Sequence, residues 1–171
     1  MTAAAIFVIF PLCMAIAAFT DMLSMTIPNR VSVILGLSFL VVAPLAGMGL
    51  IEIGWHLAAG AIVLAAGFAL FALNIMGGGD AKVLAASALW YGYNSDLVLY
   101  LGTVGVLGGF LALIVLALRA NQNTLLALPV PIPMHFFKDR VGIPYGMAIG
   151  LAAFLTYPDT DIVALAMESL H

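Results

Sequence analysis

Two aspartates stand at the ends of apolar segments, and they are the residues best placed to do chemistry. Asp21 closes the first apolar run, and Asp80 ends the stretch Gly77-Gly78-Gly79-Asp80 after the third run. A carboxylate within a membrane costs roughly 2.5–3.5 kcal/mol near a helix centre and less toward the interface. Two carboxylates held at one depth can share a proton, so that one acts as an acid and the other as a base. This pairing predicts the chemistry of an aspartyl protease.

The two aspartates differ in their expected surroundings. Asp80 should lie in the first turn of a helix, where free N–H groups favour a carboxylate, whereas Asp21 ends a helix whose dipole disfavours an anion. This argument assigns the proton to Asp21, although coupled carboxylates titrate as a pair. Gly79 should provide either a close backbone approach or a positive φ. The structural alternatives are a simple turn and cap at Asp80 and a polar helix-end marker at Asp21.

The composition is that of an integral membrane protein. Of the 171 residues 65% are apolar and only 8% are charged, and the mean hydropathy is +1.22. A soluble domain carries about 25% charged residues. The length predicts a single membrane domain over residues 1–171. Five basic residues spread over three loops form no patch, which excludes nucleic acid as a partner.

Other catalytic chemistries lack their motifs. His56, His135 and His171 show no metal-ligand spacing, and no H-E-x-x-H occurs, so we expect neither a metal nor another cofactor. Cys13 is the single cysteine and can form neither an internal disulfide nor a CxxC site. Ser87 is not embedded in a G-x-S-x-G motif.

Six apolar segments predict an all-α, polytopic fold with six transmembrane helices. About 20 apolar residues cross a membrane as a helix, and the predicted segments are about Ala3–Thr20, Val31–Met48, Trp55–Met76, Ala81–Tyr93, Leu97–Leu118 and Pro144–Tyr157. The fourth and sixth are short, so neighbouring helices should surround their ends. We expect no cleaved signal peptide, because the stretch before the first run carries no basic residue.

The charges fall on opposite sides of this six-helix arrangement. Loops on one side carry all five basic residues, which are Arg30, Lys82, Arg119, Lys138 and Arg140; the other side has only acidic ones, namely Glu52, Asp96, Asp159, Asp161 and Glu168. Basic loops face the cytoplasm. Both termini are therefore predicted to lie outside, and Asp21 and Asp80 at the cytoplasmic face. Lys82 is expected mainly to fix topology, with tuning of Asp80 as the alternative.

Two further patterns concern packing. Glycines four apart, at Gly105 and Gly109 and again at Gly142, Gly146 and Gly150, predict close helix contacts and leave open a dimer face. The polar segment 121–141 has alternating prolines, which favour an extended loop at the membrane surface. Asn94-Ser95-Asp96 offers capping oxygens to the fifth helix.

Three motifs in this order resemble a known family. They are Asp21 followed after five residues by Ile27-Pro28-Asn29, then Gly77-Gly78-Gly79-Asp80-Ala81-Lys82, and finally Ile143-Pro144-Tyr145-Gly146. Together on six segments they resemble the prepilin peptidases of the GxGD aspartyl protease group, over nearly the whole chain. One departure is the absence of basic residues between Asp21 and Ile27, which puts leader or lipid contacts of this loop in doubt.

The resemblance implies an intramembrane aspartyl endopeptidase of the inner membrane that removes the leader from type IV, Flp-like prepilins or pseudopilins. It implies Asp21 and Asp80 as the catalytic pair, with Gly77, Gly78, Gly79, Pro28, Asn29, Lys82, Pro144, Tyr145 and Gly146 shaping the site or binding substrate. The short cysteine-free segment 21–30 implies no methyltransferase activity and a small Tad/Flp-type or preflagellin-type member. Pilus assembly machinery is a further expected partner beside the lipid bilayer.

Three alternatives remain at this point. A proton- or cation-coupled transport component would also use membrane aspartates, but it leaves the IPN and IPYG strings unexplained. A GxGD protease with another membrane substrate and an inactive assembly subunit are the others.

Overall fold

The computed structural model describes residues 2–121 and 143–169, and this part of the chain is helical without strands. The helices are α1 (Thr2–Ser24), α2 (Asn29–Leu45), α3 (Leu50–Ala72), α4 (Gly78–Tyr91), α5 (Ser95–Ala120), α6 (Tyr145–Thr156) and α7 (Asp161–Glu168), with a 3₁₀ turn at Tyr157–Asp159 between the last two. Each predicted apolar segment forms one helix, so the all-α prediction is confirmed. The predicted loop 121–141 and the residues Gly142, His135, Lys138, Arg140 and His171 lie outside the described residues, apart from Asn121.

Three helices of the described chain are long and apolar enough to cross a membrane, namely α1, α3 and α5. The pair formed by α6 with its 3₁₀ turn and α7 is bent by 48° and gives a fourth candidate, whereas α2 is apolar but shorter. The sequence did not predict α7, which follows Pro158 and has only eight residues. Many large apolar side chains on these helices face outward, among them Val98, Val106 and Leu113, as expected for surfaces in contact with lipid.

The short helix α4 forms the centre of the bundle. It packs most extensively on α3 and also contacts α2, α5 and α6, and most of its side chains are buried. Polar groups of α4 are paired across helices: Trp90 Nε1 donates to the Leu35 carbonyl at 3.1 Å, and Ser87 Oγ lies 2.8 Å from Tyr100 Oη. Burial by neighbouring helices explains how a segment of 14 residues is accommodated.

Glycine allows α1 and α6 to approach closely. A Cβ at Gly150 would lie 2.8 Å from the Ala18 Cβ and 3.0 Å from the Met14 carbonyl oxygen, so the small-residue prediction is confirmed here. A close contact within the chain is wrong for Gly105 and Gly109, which have no atom of the described residues within 4 Å of a built Cβ; the alternative of a dimer face at these two glycines stays a prediction.

The two ends of the bundle carry different groups. At one end the Asn94 side chain caps α5 as predicted, accepting from the Asp96 and Leu97 N–H groups. Its amide also donates to Asp161 at 3.0 Å, which ties the start of α5 to the start of α7. Glu52 lines a cavity with Asn94 and Asp161. The opposite end holds the C-termini of α1, α3 and α5 and the N-termini of α2, α4 and α6.

Candidate active site

Asp21 is buried at the junction of α1 and α6. Helix α1 continues to Ser24, so Asp21 lies within its last turn and does not end the helix as predicted. Its carboxylate accepts the backbone N–H of Gly146 at 2.7 Å. Gly146 is the second residue of α6, and the first N–H groups of a helix have no partner within it. The sequence analysis considered only the dipole of Asp21's own helix, which disfavours an anion; the structure adds a favourable N–H group from the start of a different helix.

Asp80 lies in the first turn of α4, as the sequence predicted. It is buried, and the backbone N–H of Gly77, the residue that caps α4, interacts with its carboxylate. A Cβ built on Gly77 would lie only 2.7 Å from Asp80 Oδ2. The carboxylate is thus folded back onto the glycine. Both aspartates therefore have a backbone N–H at the start of a helix as a partner, and this fixes their orientation.

The two aspartates line one cavity of about 540 Å³ at this end of the bundle. Its walls come from α1 and the residue after it, from the end of α3 and its link to α4, and from α5 and α6. The other lining residues are Met25, Phe71, Asn74, Ile75, Met76, Gly77, Arg119, Ile143 and Tyr145. A cavity with two carboxylates and an apolar wall can admit an extended peptide and a water molecule. No three His, Cys, Asp or Glu side chains converge on a metal-binding geometry within the described ranges.

Arg119 and Asn74 line this cavity, although the sequence did not mark either as a site residue. Arg119 lies in the last turn of α5 and had been assigned only a role in topology. Asn74 has φ 57°, and Met25, which also lines the cavity, has φ 54°. These are the only non-glycine residues with positive φ in the described chain. Such conformations cluster at functional sites, and Asn tolerates this one best. The sequence analysis placed Asn74 inside the third apolar segment, whereas α3 ends at Ala72, and it predicted neither positive φ.

The other glycines of the Gly-Gly-Gly-Asp motif contact apolar side chains. A Cβ on Gly78 would lie 3.3 Å from the Phe71 ring, and one on Gly79 would lie 3.4 Å from the Ile27 Cβ. Neither glycine has positive φ. The positive-φ alternative for Gly79 was therefore wrong, while its close approach is to Ile27 in the link between α1 and α2.

The predicted residues Pro28, Asn29 and Lys82 do not line the cavity of the aspartates. Pro28 is exposed and precedes the first residue of α2. Lys82 Nζ donates to Asn29 Oδ1 at 3.0 Å, and both residues line a separate groove between α2, α3 and α4. Lys82 follows Asp80 by two residues, or about 200° around a helix. The two side chains therefore leave α4 on different faces.

The Ile143-Pro144-Tyr145-Gly146 motif forms the start of α6. Pro144 is buried and is the N-cap residue of α6, whereas the predicted sixth segment began at Pro144 itself. Tyr145 lines the aspartate cavity, and Gly146 contacts Asp21. A Cβ on Gly108 of α5 would lie 2.7 Å from Tyr145 Cε1. The Tyr145 ring therefore packs against α5 at Gly108, where the helix has no side chain.

The type IV leader peptidase family matches residues 8–118 of the chain. That range covers well over half of the sequence and contains both aspartates, the IPN string and the Gly-Gly-Gly-Asp motif. No curated protein and no solved structure matches the chain. Members of this family are aspartic-type peptidases that act on prepilins. With its several apolar helices, the chain is a multi-pass membrane hydrolase. It belongs to the type IV leader peptidase family.

Proposed function

We propose that Asp21 and Asp80 are the catalytic pair with which this peptidase cleaves the leader from type IV, Flp-like prepilins or pseudopilins. The observation that carries the proposal is that both buried carboxylates line one cavity. Each also has a backbone N–H at a helix N-terminus as a partner. Family membership alone does not select these two residues from the chain's acidic side chains; their convergence supports the selection.

The reaction needs one carboxylate as a base and the other as an acid. The ionised carboxylate takes a proton from water as the water oxygen attacks the scissile carbonyl carbon. The protonated carboxyl first donates to the carbonyl oxygen. When the C–N bond breaks, a proton passes to the leaving nitrogen, and the products are a free carboxyl group and a free amine. Because the proton belongs to the pair, we assign it to neither aspartate alone.

We propose that the chain crosses the inner membrane six times. The end of the bundle that carries Asp21 and Asp80 then faces the cytoplasm. Arg30, Lys82 and Arg119 lie at the helix ends on the same side as the aspartates, and basic residues favour the cytoplasmic side. A prepilin has a charged cytoplasmic leader followed by an apolar helix, so its scissile bond would reach the inner-membrane interface at this depth.

The assignment to the small Tad/Flp type rests on the link between α1 and α2. Only residues 25–28 separate the two helices, and none of them is cysteine. A methyltransferase segment with paired cysteines does not fit there. We therefore expect cleavage without N-methylation of the mature pilin.

Co-expression with a candidate Flp-like precursor tests the catalytic pair. The Asp21→Asn and Asp80→Asn variants should each insert normally yet leave the precursor uncleaved, because one carboxylate cannot be both acid and base. Cys13→Ser is the matched control for a buried change in α1 and should retain cleavage. Intact mass of the precursor distinguishes cleavage from methylation. Near-normal processing by either Asn variant would exclude the aspartyl mechanism and favour the transport alternative for these residues.

A further inference from the structure

A second cavity opens between α2 and α3 and is floored by α4. Its volume is about 590 Å³, larger than that of the aspartate cavity. Helices α2 and α3 each pack along α4 but touch one another little, so a groove remains between them. The lining residues are Asn29, Ser32, Val33, Gly36, Gly60, Ala61, Leu64, Lys82, Ala85, Ala86 and Leu89. Three of these lining residues are polar and lie at one end of the groove; the others are apolar or are glycines.

The three polar residues gather at the end of the groove nearest the bundle end that carries the aspartates. Asn29 and Ser32 lie in the first turn of α2, and Lys82 lies in the first turns of α4. The Lys82 ammonium donates one hydrogen bond, to Asn29 Oδ1. An ammonium has three donors, and none of the described residues that line the groove is Asp or Glu. The groove thus has a positive end that lacks a carboxylate.

The apolar part of the groove suits a flexible chain better than a helix. From Lys82 to Leu89 the groove follows one face of α4 for roughly 10 Å, at 1.5 Å per residue. A transmembrane helix is about 30 Å long and about 10 Å across with its side chains. The Leu89 side chain lies between α2 and α3, because a Cβ on Gly60 would lie 2.5 Å from Leu89 Cδ2 and one on Gly36 would lie 3.9 Å from Leu89 Cδ1. A helix could not enter past it, whereas part of an acyl chain can lie along the small residues.

We propose that this groove binds an anionic membrane phospholipid. The phosphate accepts hydrogen bonds from the polar residues Lys82, Asn29 and Ser32. One acyl chain lies over Ala85 and Ala86 toward Leu89. The charge of Lys82 complements the anionic headgroup, and the apolar lining complements the chain. This site lies on a different face of α4 from Asp80, so lipid binding does not depend on the proposed catalytic pair.

Lipid retention by the full-length protein, purified in detergent, tests the proposal. The probes are phosphatidylglycerol and phosphatidylcholine, and native mass spectrometry counts the molecules bound. We expect wild-type protein to retain phosphatidylglycerol in preference to phosphatidylcholine. Lys82→Gln should reduce that preference about fivefold, the factor that corresponds to roughly 1 kcal/mol per basic residue near a membrane surface. Arg30→Gln is the control, since Arg30 is exposed at the same end but does not line the groove.

A second pair of variants tests the apolar part. Ala61→Phe should fill the groove and lower retention of both lipids, while Ala66→Phe, an exposed position of α3 outside the groove, should not. The proposal fails if wild-type protein retains no lipid or if the two charge variants lose the same preference. It also fails if Ala61→Phe keeps full lipid retention. If that variant instead impairs precursor binding while lipid retention is unchanged, the groove binds the precursor and not a lipid. Circular dichroism of each variant confirms that helix content is unchanged.

Discussion

The position of the Asp80 carboxylate depends on the bare backbone of Gly77. The carboxylate oxygen occupies the place that a side chain at position 77 would need, at 2.7 Å from the built Cβ. A methyl group there would push the carboxylate away from the Gly77 N–H and from its place in the cavity. The two following glycines have looser surroundings, with their nearest contacts at 3.3 and 3.4 Å.

This geometry predicts an order of sensitivity within the Gly-Gly-Gly-Asp motif. Gly77→Ala should lower kcat roughly tenfold to a hundredfold, since a displacement of about 1 Å can have that effect. Gly79→Ala should stay near the wild-type rate, because its methyl group meets Ile27 at an ordinary distance and its φ is accessible to alanine. Rates of precursor cleavage by purified variants, normalised to folded protein, measure both. Equal losses in the two variants would contradict the proposed placement of Asp80.

The shared cavity also predicts how cleavage depends on pH. At low pH both carboxyl groups are protonated and no base remains; at high pH both are ionised and no acid remains. We therefore expect kcat/KM for precursor cleavage to rise and then fall with pH, and neither Asn variant should recover activity at any pH. A rate that rises steadily into the alkaline range would instead point to a different nucleophile.

At the scale of elements, α5 positions the wall of the cavity that Tyr145 forms. The ring of Tyr145 lies against Gly108, and α5 and α6 pack along much of their length. The adjacent Gly109 is open on its outer side. Helix α5 therefore carries one glycine in contact with a residue of the cavity and, next to it, one without such a contact.

Gly108→Ala should impair cleavage, because its methyl group would lie 2.7 Å from Tyr145 Cε1 and would turn the ring into the cavity. We expect KM for the precursor to rise more than kcat falls. Gly109→Ala is the matched control one residue away and should leave both constants unchanged while raising stability by roughly 0.5–1 kcal/mol. If both variants cleave normally, the Tyr145 ring does not shape the substrate path.

The local elements of this site were predictable, but their partners were not. Apolar run lengths and the glycines before Asp80 placed that residue in the first turn of α4, and the position holds. The contact between Asp21 and Gly146 joins residues 125 positions apart, and no local pattern encodes such a pairing. For the same reason Arg119 was predicted as a topology marker only. Lys82 is only two residues from Asp80 in sequence, but its side chain leaves α4 on another face and lines a different groove. Its proximity in sequence therefore wrongly suggested that it belongs to the site.

At the scale of the whole molecule, the two ends of the bundle differ in charge and in chemistry. The aspartates, Arg119 and Lys82 lie at one end, and Glu52 and Asp161 lie at the other. The distribution of basic residues predicts that the first end faces the cytoplasm. A peptidase oriented this way meets the precursor before it leaves the membrane, whereas the reverse orientation would separate the site from the leader.

The orientation can be measured because the chain has one cysteine, and it is buried. In a Cys13→Ser background, Ser24→Cys places a thiol at the exposed end of α1 beside the aspartates, and Ile51→Cys places one at the opposite, exposed end of α3. A membrane-impermeant maleimide should label the Ile51→Cys variant in intact cells. It should label the Ser24→Cys variant only after the inner membrane is permeabilised. Labelling of Ser24→Cys in intact cells would show the opposite orientation, with the cavity of the two aspartates on the side away from the leader that the protein is proposed to remove.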